Sequence, residues 1–248
     1  MFTIDWALKN FVARLGAFSA LSQEDVAALL GLQGDLSRLR GNVDIVSPGA
    51  KFDHACLVVS GIVARFVQLR DGSRQFIAFH LPGDIADIHR VATPSAGSAL
   101  QTLSTATIVR VPAQDLKRIA LVSPTIAQAF WAYAAVDAAV LAQWAVNVGR
   151  RDAKSRMAHF LCEMGVRSEA CGLGSRSEFI LDASQAQIGD ALGLTSVHVN
   201  RTLKTLRESK LLSIDGRIVR IANWPSLAAI GDFDPAYLQA EQLQEKAA

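Results

Sequence analysis

Arg201, Lys204, Arg207, Lys210, Arg217 and Arg220 fall within residues 195–220, against two acids, Glu208 and Asp215. That stretch carries +4 while the whole 248-residue chain carries only +2, so the remainder is slightly acidic. Cations gathered on one segment of a near-neutral chain are the mark of a surface that meets phosphates. Ser196, Val197, Asn200, Arg201 and Lys204 recur at helical spacing, so they share one helix face. Those residue types suit base edges as well as phosphates. An arginine forks onto the O6 and N7 of guanine, a serine or asparagine reaches base edges or phosphate, and a valine touches a thymine methyl.

The elements that must hold this face are readable on either side of it. Ser184 has the chemistry of an N-cap for a short helix containing Ile188 and Leu192. Gly193 permits the tight turn that ends it. Thr195 caps the next helix, whose Val199, Leu203 and Leu206 form a buried face with Ala186, Ile188 and Ala191 beneath. Two helices joined this way form a helix-turn-helix, whose second helix enters the major groove N-terminus first. Strand-like runs on either side of Asp215-Gly216 add a hairpin wing carrying Arg217, so the unit spans about residues 184–221. The expected partner is double-stranded DNA, with contacts from Ser184, Thr195, Ser196, Val197, Asn200, Arg201, Lys204 and Arg217. A helical hairpin that binds protein is the competing reading, and the charge concentration favours DNA.

Other chemistries find little support. Cys56, Cys162 and Cys171 are too few and too scattered for a disulfide framework, a zinc site or an iron–sulfur cluster, which also suggests a reducing compartment. His54, His80 and His89 are candidate haem ligands, but each is read as an ordinary strand or loop histidine. A cupin-type metal enzyme would need histidines two apart, and none are so spaced. No Ser/His/Asp set or phosphate-cradling loop is legible, so no enzyme activity, metal or cofactor is expected. The first residues lack a basic run before an apolar core, so no secretory signal is read there, and the expected location is cytoplasmic. Residues 126–149 are long and apolar enough to span a bilayer. Asp137 at mid-span, with Gln128, Gln143 and Asn147, points instead to a buried soluble helix and no membrane.

The rest of the chain divides into three parts. Two short helices open it, the second capped by Ser22 and Asp25. From about 36 to 111, short β-rich runs alternate with turn signals, among them a hairpin around Asp71-Gly72-Ser73, and imply a small barrel or jelly roll. After Ser123-Pro124 a long helix runs to about Gly149. Ala127, Trp131, Ala134, Ala138, Leu141, Ala145 and Val148 recur in steps of four and three along it, as a dimer seam of mostly small side chains would. A second row, Ile126, Phe130, Tyr133, Val140 and Trp144, is positioned to pack on the β-domain. The alternative for this helix is simple burial in a monomer. The expected domains are 1–122, helices and β-roll; 123–150, the dimer helix; and 151–248, the winged helix-turn-helix with a helical tail at 225–230 and 235–246.

The run 187–203, Gln-Ile-Gly-Asp-Ala-Leu-Gly-Leu-Thr-Ser-Val-His-Val-Asn-Arg-Thr-Leu, resembles the signature of the cyclic-AMP receptor protein/FNR (Crp/Fnr) family of bacterial regulators. Phe79-His80-Leu81-Pro82-Gly83-Asp84 resembles that family's roll, and the likeness covers about residues 21–224. It implies an α+β fold: an N-terminal double-stranded jelly-roll of the cyclic-nucleotide-binding type, a long dimerisation helix and a C-terminal winged helix-turn-helix. It also implies a homodimer on a near-palindromic operator, with RNA polymerase as a further partner. Carried over by position, the base-reading arginine falls on Arg201 and the phosphate-contacting hydroxyl on Ser184. The family often has a glutamate where this chain has Val197, which cannot accept a hydrogen bond from cytosine, so the half-site need not be the familiar one.

The resemblance places an effector pocket at Gly83, Asp84, Asp87, Ile88, Arg90, Gly97 and Ser98. Nucleotide-binding members carry Gly-Glu-Leu and, about ten residues on, Arg-Ser. Here Ala86-Asp87-Ile88 and Gly97-Ser98 stand in those places, so the arginine that would neutralise the cyclic phosphate is missing, with Arg90 as the nearby substitute. The expectation is a regulator not controlled by cyclic AMP in the usual way. The alternative is one answering a nucleotide or other small ligand through a divergent pocket.

Overall fold

In the computed structural model, residues 3–47, 49–50, 53–93 and 98–239 are described. Two helices open the chain, α1 (Ile4–Phe18) and α2 (Gln23–Leu30). Ser22 and Asp25 cap α2 reciprocally, as their spacing predicts. Seven strands follow: β1 (Asp35–Leu39), β2 (Asp44–Val46), β3 (His54–Ser60), β4 (Val63–Gln68), β5 (Arg74–His80), β6 (Ala99–Thr102) and β7 (Ala106–Pro112). They form two antiparallel sheets, ordered β1-β7-β3 and β2-β6-β4-β5. Val46, Cys56, Val58, Val63, Leu100 and Ile108 are buried together and fill the roll between them. The β4–β5 hairpin turns at Asp71-Gly72, where Gly72 takes a φ of 86° that favours glycine.

Helix α3 (Ala113–Val122) leads into α4 (Pro124–Arg150), which starts with the Ser123 cap and Pro124 in its first turn. The row expected to pack inward does so, since Ile126, Phe130, Tyr133, Val140 and Trp144 are all buried. Among the described residues α4 is the helix long and apolar enough to cross a membrane, and 28% of its most apolar window is buried. Its mid-point Asp137 is committed to Arg65 of β4, at 2.8 Å.

The C-terminal part comprises α5 (Ala153–Ala170), the short strands β8 (Gly174–Ser175) and β9 (Glu178–Ile180), α6 (Gln185–Leu192), α7 (Ser196–Glu208), β10 (Leu212–Asp215), β11 (Ile218–Ile221) and α8 (Trp224–Gly231). A 3₁₀ turn at Pro235–Leu238 follows. The expected hairpin wing is present, but β9 and β8 extend it to four strands, ordered β10-β11-β9-β8. Residues 174–180 thus contribute two short strands beside the wing. Of the expected tail helices, the first is α8. The second is a 3₁₀ turn up to Leu238, and residues 240–246 lie outside the described residues.

Candidate nucleic-acid interface

The two helices of the reading head are set by local chemistry. The Ser184 hydroxyl accepts from the Gln187 backbone N–H at 3.2 Å, and Gln187 returns a bond to the Ser184 N–H at 2.7 Å. Gly193 ends α6 in the left-handed region at φ 62°. Thr195 caps α7 by accepting from the His198 N–H. Gly189 lies so close to the Leu194 carbonyl that no side chain fits, which brings the helices together at the turn. Val199, Thr202, Leu203 and Leu206 are buried beneath α7, with Ile188 and Ala191 of α6. Ala186, expected in that layer, is exposed, because its position in the first turn of α6 faces away from α7.

The opposite face of α7 is open. Ser196, Val197, Asn200, Arg201 and Lys204 are exposed, Val197 at 68%, and together with Gln185 they line one shallow concavity. Asn200 donates to Gln185 at 3.2 Å, tying the two helices at this surface. Gln185 was missed in the sequence, although its place beside the Ser184 cap was the available signal. Lys204 makes only a loose surface contact with Glu208, at 3.7 Å, which leaves its ammonium available to an anion. Ser184 is exposed beside the concavity. Arg217, 70% exposed on the wing, pairs with Asp182 at 2.9 Å. The structure therefore gathers Ser196, Val197, Asn200, Arg201 and Lys204 on one surface. Thr195 serves the helix start, and Arg217 projects from the hairpin.

The head is held on the roll. Gln187 donates at 2.8 Å to both Asn42 and the Leu103 carbonyl, and Gln75 of β5 donates to the Ala191 carbonyl. Phe79, Trp144 and Phe160 form an edge-to-face aromatic group where β5, α4 and α5 meet.

The residues assigned to an effector pocket separate into two groups. Asp87 and Arg90 pair inside the roll at 2.6 Å, each side chain 1% exposed, and Asp87 also accepts from the Cys56 N–H. The carboxylate in the place of the family's ribose acceptor is therefore already occupied, and the expected substitute arginine is its partner. Burial, partly offset by these partners, pushes the Asp87 carboxyl above its ordinary range. Ile88 is buried beside them. Ser98 is half-buried, and Gly97 lies outside the described residues.

Asp84 points elsewhere. It is 1% exposed and pairs with Arg14 of α1 and, at 3.2 Å, with Arg167 of α5. It also accepts from the Leu81 N–H and the Tyr133 hydroxyl. Gly83 stays small because the Asn10 side chain of α1 packs against it. Arg167 continues to Glu163, which takes Trp144 of α4 and Tyr237 of the 3₁₀ turn. Buried ionised groups persist only when compensated in this way.

The predicted seam lies along the uncovered side of α4. Trp131 is 75% exposed, Ala138, Ala145 and Val148 are exposed, and Ala127, Ala134 and Leu141 are half-buried. Among the described residues, no three or more of the His, Cys, Asp and Glu side chains group as metal ligands would.

A β-roll, a long connecting helix and a winged helix-turn-helix with an open, basic reading face define a DNA-binding transcription regulator. The family model of a Crp-like helix-turn-helix domain matches residues 155–230. The chain is 26% identical over 211 residues to the transcriptional activator protein Anr of Pseudomonas protegens, covering 85% of this chain and 86% of that one. It is also 26% identical over 168 residues to the fumarate and nitrate reduction regulatory protein of Vibrio cholerae, covering 68% and 67%. The solved structure of FixK2 from Bradyrhizobium japonicum is similar with a TM-score of 0.73 and 29% identity, over 80% of this chain and 98% of that one. Residues 155–230 thus carry a Crp-like helix-turn-helix domain, and over most of its length the chain is similar to transcriptional regulators of the Crp/Fnr type.

Proposed function

We propose that the protein acts as a homodimer on a near-palindromic operator, with α4 as the seam and one α7 in the major groove of each half-site. The observation that carries this reading is the open α7 face, where Arg201 stands exposed among Ser196, Val197, Asn200 and Lys204. Arg201 forks onto a guanine, Val197 packs on a thymine methyl, and Asn200 and Ser196 bond base edges or phosphate. Ser184, Thr195, Lys204 and Arg217 anchor the backbone. In this reading 1–122 is the sensor, 123–150 the dimer helix and 151–248 the reading domain. An uncovered apolar stripe of small residues on α4 favours pairing with a second copy.

The dimer answers a small molecule other than cyclic AMP, and at its promoter it recruits RNA polymerase. The Asp87–Arg90 pair supports the first point: a nucleotide phosphate would have to break a buried ion pair to gain its own. Footprinting on a selected operator tests the dimer. Two protected half-sites about 10 base pairs apart are expected, and protection of a single half-site would overturn it.

A further inference from the structure

Where α1, β5, α4, α5 and the 235–238 turn converge, the fold leaves a partly open cavity of about 60 Å³. Its walls are mainly apolar, with Phe18, Ala78, Val136, Val166, Ala170 and Leu238 contributing. The charged groups that also line it are already paired: Asp84 with Arg14 and Arg167, and Asp137 with Arg65 of β4. The Tyr133 hydroxyl is likewise bonded, to Asp84 and the Ile85 backbone. His80 differs. It lines the cavity, is 3% exposed, and its buried Nε2 has no hydrogen-bond partner among the described residues. Desolvation, with Arg65, Arg167 and Arg14 nearby, holds the imidazole well below its ordinary range and hence neutral. A neutral imidazole offers one donor and one acceptor. The site thus combines apolar walls, cancelled charge and one unspent polar group.

We propose that this cavity binds a small uncharged molecule with an apolar body and a single hydrogen-bonding atom, held by His80. A dry cavity of about 150 Å³ holds benzene, so this one takes about two to four non-hydrogen atoms. Nucleotides and haem are far too large. The site is distinct from the Asp87–Arg90 region of the roll, and its walls join α1 and β5 of the N-terminal part to α4, α5 and the 235–238 turn. An occupant presses on Val166 and Ala170 of α5 and on Leu238, beside the Asp84–Arg167 tie. Ligand size would thereby reach the reading head. This regulatory consequence rests on the DNA-binding reading, whereas the binding itself does not.

The test uses the full-length protein with ¹⁵N-labelled histidine rings, titrated with ethanol and with acetonitrile. A saturable shift confined to His80 among the five histidines is expected. It should vanish in Val136→Phe, which fills the cavity from α4, and in Ala170→Leu, which fills it from α5. Thermal melting identifies which of the two variants folds. A non-saturating drift of all five rings, or a saturable shift that survives in a folded cavity-filled variant, overturns the site. So does a crystal soaked in either probe that shows ordered water alone at His80. Operator affinity supplies the second readout, with a change of about fivefold or more expected on saturation. Binding with unchanged operator affinity refutes the coupling and leaves the site standing. A His80 shift in a protein that recognises no operator refutes the DNA reading instead.

Discussion

Replacing the Asp84 carboxylate by an amide, Asp84→Asn, removes one charge from a group 1% exposed and leaves two guanidiniums without it. Breaking a buried ion pair from one side costs about 3–5 kcal/mol, because the surviving charge stays desolvated. Here the survivors differ. Arg167 keeps Glu163 at 3.1 Å and the Phe79 carbonyl at 2.6 Å. Arg14 keeps the Cys171 sulfur at 2.6 Å. The partial compensation at Arg167 places the expected loss at the lower end, about 3 kcal/mol. For a chain of this length that is a fall in melting temperature of about 6–12 °C. Circular dichroism and calorimetry read it directly. The exposed pair Arg118–Asp115, broken by Arg118→Gln, is the control, with about 0.5 kcal/mol or less expected. In the double variant Asp84→Asn/Arg14→Gln the losses should be clearly less than additive, since the two residues share one contact. A fall of less than about 2 °C for Asp84→Asn, or strict additivity, would refute the claim that Asp84 joins α1 to α5.

Other expectations follow from separate features. Ala138→Glu with Ala145→Glu puts charges on the uncovered side of α4, and sedimentation should show a folded monomer with weakened operator binding. Gly189→Ala drives a methyl into the Leu194 carbonyl and should cost about 1–3 kcal/mol with loss of DNA binding; a variant as stable and active as wild type would remove the close-approach argument. Stability should fall as pH drops from about 6.5 toward 4. Burial lowers His89 to about 4, with Arg65 and Arg90 adding to the effect, and it also lowers His80 and His159, so these rings are neutral when folded and protonate when unfolded. Allowing for the partial solvent access of His89, its share is about 1–2 kcal/mol. Raised Asp87 has the opposite sign, so a denaturation series showing greater stability at pH 4.5 than at pH 7 would contradict the histidine argument. Arg217→Ala on the wing should weaken binding to all sequences alike and reduce the salt dependence, as loss of a phosphate contact does.

What was legible in the sequence was what local chemistry decides. Ser22, Ser123-Pro124, Ser184, Gly193 and Thr195 mark helix ends through their own backbones, and each marks the end observed. The exposed face of α7 followed from helical spacing alone. Strands β8 and β9, two and three residues long, are too short to display an alternating pattern. The tertiary network was out of reach for a different reason. Arg14, Asp84 and Arg167 lie in three separate parts of the chain, and only the packed fold makes them neighbours. Family likeness set Asp84 beside Asp87, yet the backbone after Gly83 directs Asp84 to the junction and leaves Asp87 in the roll with Arg90.

The central claim is that an open α7 reads DNA through Arg201. Selection of bound fragments from a genomic DNA library, performed in parallel with the purified protein and with Arg201→Ala, tests it most directly. The account predicts a near-palindromic motif for the wild type, and loss of preference at one guanine of each half-site in the variant, at a cost of about 1–3 kcal/mol per site. An unchanged motif in Arg201→Ala, or no sequence preference in the wild type, would contradict it.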